Sequence, residues 1–277
     1  MEWHKLKNII LLILLVVNGF LLVLVGSRLE EAAQYERKAL EQTVQVLERG
    51  GIQVDLEAVD PAEGLFPAMV ERDLEREVRM ARALLGQAAE ADNRGGGLYL
   101  YRSGAGELSV RAGGELSAKL EGGAGWQADH PERHAAGLLR KMGIDGAQAG
   151  VTEEDGWTRV RFRQLWNGMP VFSCELEFAY RGGVLDSIRG TLLTAQAGTA
   201  EAGQSMTLPT ALMRFSEEIA ATGDVCTAIR SMEPGYRGMA QSLSGGTRLA
   251  PVWLVTTDTA RYYLDCAAGE LTRLTNP

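Results

Sequence analysis

The chain has 277 residues, and 45% of them are hydrophobic, enough to bury the core of one large domain or two small ones. Acidic residues outnumber basic ones by 36 to 28, for a formal net charge of −8. With no clustered run of Lys or Arg, that balance argues against a nucleic-acid partner, which needs a basic face.

The first informative stretch is KLKNIILLILLVVNGFLLVLVGSRLEE. Ile9 to Val25 is interrupted in polarity only by Asn18, and with its flanks the run reaches the roughly 20 apolar residues that a helix needs to cross about 30 Å of hydrocarbon. His4, Lys5 and Lys7 precede it, so the charge bias predicts a cytoplasmic N-terminus and an extracellular chain beyond about Ser27. A cleaved secretory signal is the alternative, which the small residues Gly26 and Ser27 permit; against it, the run exceeds the usual signal core of about 7–15 residues and no A-x-A site follows. The expected product is a single-pass signal anchor in the cell membrane, with a cytoplasmic stub over residues 1–7 and a transmembrane helix over 8–27. Trp3 fits an interfacial anchor. Asn18 is expected to face another helix, where such a polar contact is worth about 1 kcal/mol, and Phe20 and Leu24 complete the expected partner contact; the alternative is an amide merely tolerated there.

Beyond the membrane, Leu29, Ala33, Leu40, Val44 and Leu47 keep a narrow apolar stripe that predicts a helix ended by Gly50 and Gly51. A strand follows, because Ile52, Val54 and Leu56 alternate with polar residues. The spacing of Val70, Leu74, Val78, Ala81, Leu85 and Ala88 predicts a second helix from about Pro67 to Ala91. From Gly95 to Gly125 glycine dominates, leaving 98–102, 107–112 and 115–120 as short strand candidates in a meander or a loose connection. A subdomain boundary is expected near Gly125, separating a membrane-proximal subdomain over 28–125 from a second one over 126–277.

The second subdomain opens with DHPERHAAGLLRKMGI, which reads as a capped helix with Pro131 in its first turn and Gly143 as terminator. Strands over 157–165 and 169–180 then meet across Trp166, Asn167 and Gly168, and Asn-Gly favours a tight hairpin turn because both residues tolerate positive φ. Gly182 and Gly183 turn the chain into a strand over 184–193. Thr207, Leu208 and Pro209 open another helix, to about Ala221, and strands over 250–256, 261–266 and 270–274 follow a Gly- and Ser-containing loop. The segment from Gln164 to Gly190 is echoed from Ala250 to Leu274: each passes from Pro-Val-aromatic through strand-forming residues to a glycine and an apolar residue. The fold class expected is α+β, an N-terminal transmembrane helix followed by an external domain in which a helix on an antiparallel sheet is used more than once.

Chemistry is sparse. Asp129, His130, Glu132 and His134 look catalytic, and histidines four apart can share a metal on one helix face, but Pro131 puts His130 at or before the helix start and the H-E-x-x-H order is absent. The expected reading is an exposed helix terminus, with no metal and no cofactor. G-x-S-x-G, S-x-x-K, Walker and G-x-G-x-x-G patterns are absent, and the apolar neighbours of Cys174 make it a poor nucleophile, so no enzyme is expected. Cys174, Cys226 and Cys266 form no C-x-x-C motif. An external location permits one disulfide, and Cys174 with Cys266, both in the echoed segments, is the candidate pair.

MEWHKLKNIILLILLVVNGFLLV, LERGGIQVDLEAVDP and the closing PVWLVTTDTARYYLDCAAGELTRL together resemble YycI, a family of single-pass regulators of the cell-wall two-component system of Gram-positive bacteria. The segment from Gln164 to Gly190 also resembles a hairpin of PepSY-type modules. The Gly-rich 95–125 stretch departs from the YycI pattern. The resemblance implies a non-catalytic external domain that, with a YycH-like paralogue, adjusts a WalK-like sensor histidine kinase through contacts that include the membrane helix. The alternative is a PepSY-like external module that binds or inhibits a peptidase or peptide, with an exposed apolar groove beside Trp166 and Phe172.

Overall fold

The computed structural model describes residues 3–59, 65–121, 126–195, 198–200, 206–240 and 246–274; side chains are described for these except 3–6, 8–10, 23, 25, 26, 28–33 and 200. The first element, α1 (Trp3–Arg49), runs unbroken for 47 residues, so the apolar segment and the amphipathic stretch are one helix. It stops where the sequence predicts: Gly51 takes a φ of 87°, and the Ile52 N–H returns to the Leu47 carbonyl at 2.9 Å. Among the described residues no helix is long and apolar enough to cross a membrane. Within the apolar segment the longest run of described side chains is Leu11 to Leu22, and every one of them is exposed.

After α1 come β1 (Gln53–Val54), a 3-10 turn (Leu56–Ala58) and β2 (Ala68–Val70). The helix expected from Pro67 begins later, because residues 68–70 pair as a strand and the Asp73 carboxylate caps α2 (Leu74–Leu85), accepting the Arg76 N–H at 2.9 Å. It also ends sooner, at Gly86 with a φ of 89°. The next strands are β3 (Glu90–Gly95), β4 (Leu98–Ser103), β5 (Gly106–Val110) and β6 (Glu115–Leu120). Then α3 (Pro131–Lys141) leads into β7 (Gly146–Glu154), β8 (Trp157–Trp166), β9 (Met169–Arg181) and β10 (Val184–Thr191). After β11 (Gly198–Ala200), α4 (Leu208–Thr222) leads into β12 (Ala228–Ala240), β13 (Thr247–Thr257), β14 (Arg261–Asp265) and β15 (Leu271–Leu274).

The chain is a mixed α+β fold in which one unit, a helix followed by a four-stranded antiparallel meander, occurs three times: α2 with β3–β6, α3 with β7–β10, and α4 with β12–β15. The echo between Gln164–Gly190 and Ala250–Leu274 is the trace of the second and third units. The Asn-Gly turn forms as expected, with Asn167 at a φ of 49° and Gly168 at 81° between β8 and β9. The boundary expected near Gly125 meets a continuous sheet, since β6 pairs antiparallel with β10 over five residue pairs. One apolar cluster also crosses that point: Met80, Leu84, Leu108 and Leu116 pack with Leu138, Leu139, Phe162 and Phe178. Helices α2 and α3 cover this face of the first two meanders.

The third meander buries its own face under α1 and α4, where Leu47, Leu212, Phe215 and Ile219 meet Trp253, Val255, Tyr262 and Leu264. It joins the second meander through a single parallel pairing, Tyr236 with Val171. Around that joint, Gln164 works as a surrogate strand. Its buried side-chain amide donates to the Leu193 carbonyl at 2.9 Å and accepts the Leu193 N–H at 2.7 Å, satisfying backbone groups that leave β10.

The most buried charge belongs to α2. Glu77 has no exposed side-chain surface, and Arg72 grips it with both prongs, Nε to Oε1 at 2.6 Å and Nη2 to Oε2 at 2.8 Å. Arg72 also donates to the carbonyls of Gly97 and Val110, and stacks over Tyr99 at 5.1 Å. Arg76 donates to Gly143 at 2.6 Å and to Ala195, so two arginines fasten the start of α2 to both neighbouring meanders. Burial, and then the Glu77 charge, push the Tyr101 hydroxyl up to about 12. On α3, the His134 Nδ1 lies 3.0 Å from the Tyr180 hydroxyl beneath the sheet, and burial, followed by the Lys141 charge, lowers its pKa.

Two outcomes follow from these buried groups. Arg72→Ala strips the partner from a fully buried carboxylate and is expected to cost about 3–5 kcal/mol, read from urea unfolding; a loss below about 1 kcal/mol would show that Glu77 does not depend on it. Replacing the pair together with Met and Leu should recover most of the loss. For His134 the folded-state pKa lies below the unfolded value of about 6.5, so its contribution is complete above pH 6.5 and is lost as pH falls through the folded value. The unfolding midpoint should therefore drop as pH falls below about 6.5, and His134→Gln should flatten that limb. An unchanged limb in the variant would assign the acid sensitivity elsewhere.

Candidate functional site

Strand alternation puts one set of side chains from β8–β10 under α3 and the other set on a face that none of the described helices covers. Val160 and Phe162 point into the core, so Trp157, Arg159, Arg161 and Arg163 stand on the open side of β8. Register brings β9 and β10 into the same rows: Arg161 lies opposite Glu177, Glu177 opposite Arg189, Arg163 opposite Glu175, and Trp157 opposite Arg181. The face of these three strands thus carries five arginines against two glutamates and Asp186, whose carboxylate is held by Lys119 of the adjoining β6 at 2.7 Å, in a chain whose net charge is −8.

Its ion pairs are loose. Arg159 to Glu177 is 3.7 Å, and Arg161 and Arg163 each lie 3.6 Å from Glu175. These contacts hold charge but exceed hydrogen-bond length, and the groups involved remain 25–43% exposed. Aromatic rings organise both ends. Trp157 is flanked by the guanidiniums of Arg159 at 6.0 Å and Arg181 at 5.6 Å. At the joint with the third meander, Arg163 stacks on Phe172 at 5.4 Å, Phe172 on Tyr263 at 5.8 Å, and Arg237 on Tyr263 at 5.5 Å. Phe172 also packs with Val252 and Leu254, so an apolar seam carries the face from one meander to the next.

The alternation in WTRVRFRQLW is the signal that reveals this band. Its period of two assigns the strand and its arginines to a single face, but the opposing Glu175, Glu177 and Arg189 become neighbours only once the register is known.

The residues singled out by sequence are dispersed. Asn18 donates its amide to the Leu14 carbonyl at 2.9 Å on its own helix. Phe20 and Leu24 share a stripe, but at about 100° per residue Asn18 stands more than 100° away from each, so the three cannot form one contact strip. His130 is the residue capping α3, without a side-chain hydrogen bond to the helix, whereas His134 turns to Tyr180. Among the described residues no group of His, Cys, Asp and Glu is arranged to hold a metal ion. Cys174, Cys226 and Cys266 are free thiols; Cys174 and Cys266 are buried in separate clusters, and burial pushes them up to about 11 and about 12, which makes both poor nucleophiles. Trp166 and Phe172, expected beside an exposed apolar groove, are themselves 7% and 8% exposed and belong to different clusters.

The concavities are shallow surface features. One of about 700 Å³ lies between Thr257–Arg261 and Arg273, where the Asp258 carboxylate is already occupied by Thr227 Oγ1 at 2.7 Å and by the N–H groups of Thr227 and Ala228. The hydrogen bond from Thr227 holds that carboxyl below its usual range. A second, of about 490 Å³, lies between α3 and the Asn-Gly turn, over Leu139, Phe162 and Leu165.

No protein-family model matches this sequence, and no curated protein matches it either. Solved structures similar at low identity include the following two. An uncharacterized protein from Eubacterium rectale ATCC 33656 is 11% identical, with 81% of this chain and 90% of that one covered at a TM-score of 0.49. The Bacillus megaterium YpeB C-terminal domain is 13% identical, with 75% of this chain and 99% of that one covered at a TM-score of 0.37.

Proposed function

We propose that the chain is a membrane-anchored, non-catalytic regulatory protein, with a cytoplasmic N-terminus and an extracellular domain, that modulates a cell-envelope sensor histidine kinase. The observation that carries this reading is α1. Its side chains from Leu11 to Leu22 find no cover within the protein, with Phe20 at 65% and Leu22 at 75% exposure. Apolar surface on that scale is unfavourable in water by about 25 cal/mol per Å², so lipid or other apolar helices are its natural surroundings.

The same helix continues without a break to Leu40 and Leu47, which pack toward α4 and the third meander, with Val44 buried between them. A displacement of the external domain is therefore conveyed along one rigid rod, provided that both arrangements are populated. The resemblance of both chain ends to YycI supplies the partner class, a WalK-like kinase together with a YycH-like paralogue.

The test is an affinity pull-down of the full-length protein from gently solubilised native membranes, beside a version in which Ile9 to Val25 is exchanged for an unrelated apolar segment. A histidine kinase recovered only with the native segment is the expected outcome. No kinase in either sample, or an external peptidase held equally by both, would replace the regulatory reading with that of an external binding module.

A further inference from the structure

We propose that the uncovered face of β8, β9 and β10 is a docking surface for an acidic segment of polypeptide in extended form. The inference is independent of the regulatory reading, because it concerns the external face and not the anchor.

The spacing of the charges is the first ground. Arg159, Arg161 and Arg163 recur every second residue on β8, about 7 Å apart, and an extended chain with carboxylates at alternate positions has the same repeat. Charge complementarity is the second. Five arginines against two glutamates, with Asp186 of β10 neutralised by Lys119 of β6, leave an excess of three positive charges on a patch of a chain that is otherwise acidic, so an acidic partner is steered to this face and repelled elsewhere.

The third ground is unused hydrogen-bonding capacity. A guanidinium presents five N–H donors in a fork that suits a carboxylate. Among the described residues, the guanidiniums of Arg159, Arg161 and Arg163 meet Glu175 and Glu177 only at 3.6–3.7 Å, and the buried Arg163 Nε has no hydrogen-bond partner. A partner carboxylate at ordinary hydrogen-bond distance would displace or share these loose contacts. The stacked Trp157 and Phe172 hold the guanidiniums at the two ends, which lowers the entropy lost on binding.

An acidic peptide is favoured over a phosphate polymer by the interleaved Glu175 and Glu177. Fixed carboxylates within the patch oppose a densely charged polyanion, whereas a peptide with one charge per two residues can place each carboxylate over an arginine row.

The experiment uses the full-length protein in detergent micelles and follows fluorescence anisotropy at low salt. The probe is a labelled ten-residue peptide of alternating Glu and Ser, with an alternating Lys and Ser peptide as control and inorganic polyphosphate as competitor. The Glu peptide should bind and the Lys peptide should not. The double variant R159Q/R161Q should weaken binding at least tenfold, and E175Q/E177Q should tighten it several-fold. That opposite response cannot come from a loss of folding. Failure of the Glu peptide to bind, equal binding of the Lys peptide, indifference to R159Q/R161Q, weakening by E175Q/E177Q, or binding of polyphosphate alone would each overturn the proposal.

Discussion

The joint between the second and third meanders is the constraint on which the rest of the molecule depends. Among the described residues one pair, Tyr236 with Val171, continues the ladder there, so hydrogen bonding alone does little to fix the angle between the two parts. Close packing does more. A side chain at Gly235 would bring its Cβ within 2.5 Å of the Pro170 carbonyl and 2.6 Å of the Phe172 ring, so glycine is what lets β12 approach β9. The Gly238 N–H reaches Ser173 Oγ at 2.8 Å, and Val171, Cys174, Trp166, Tyr236 and Leu249 fill the space beneath. Interiors packed in this way shift between discrete arrangements rather than deforming smoothly.

Everything on either side inherits its position from that joint. The α1 rod belongs to the third meander through Leu47 and α4, whereas the arginine rows belong to the second. The first meander follows the second because β6 and β10 are hydrogen-bonded along five pairs, and because Arg72 and Arg76 tie α2 to carbonyls of both neighbours. Each unit solves the same problem. A four-stranded meander has one face that must be buried, and the helix preceding it in sequence supplies the cover.

What the sequence discloses is local. The Gly50–Gly51 stop, the Asn167–Gly168 turn, α3 with Pro131 in its first turn, and the last three strands rest on the chemistry of a few adjacent residues, and all form where expected. Readings that fail depend on partners far away in the chain. Residues 68–70 look helical beside Leu74 and Val78, yet pairing with β13 and β11 makes them a strand. The segments over 146–154 and 228–240, poor in strand-forming residues and rich in Gly and Ala, become β7 and β12 through hairpin pairing with the strand that follows each, which overrides their composition. The Arg72–Glu77 pair is five residues apart and lies across a helix start, so no helical spacing rule announces it. The arginine face is an intermediate case, because its alternation is written in the sequence but its neighbours are assigned by register.

The stack of Arg163, Phe172, Tyr263 and Arg237 is where the face and the rod come closest to sharing a physical element, because its first two members belong to the second meander and its last two to the third. A partner bound over Arg163 would touch a contact that bridges the joint. It can shift the joint only by as much as its affinity differs between two arrangements, about 1.4 kcal/mol for each factor of ten, and a partner that meets Arg159 and Arg161 alone would bind both equally and shift nothing. Coupling from the face to α1 therefore has a residue-level requirement: the bound carboxylate must engage Arg163 and alter its stack on Phe172, since Arg159 and Arg161 contribute affinity without crossing the joint.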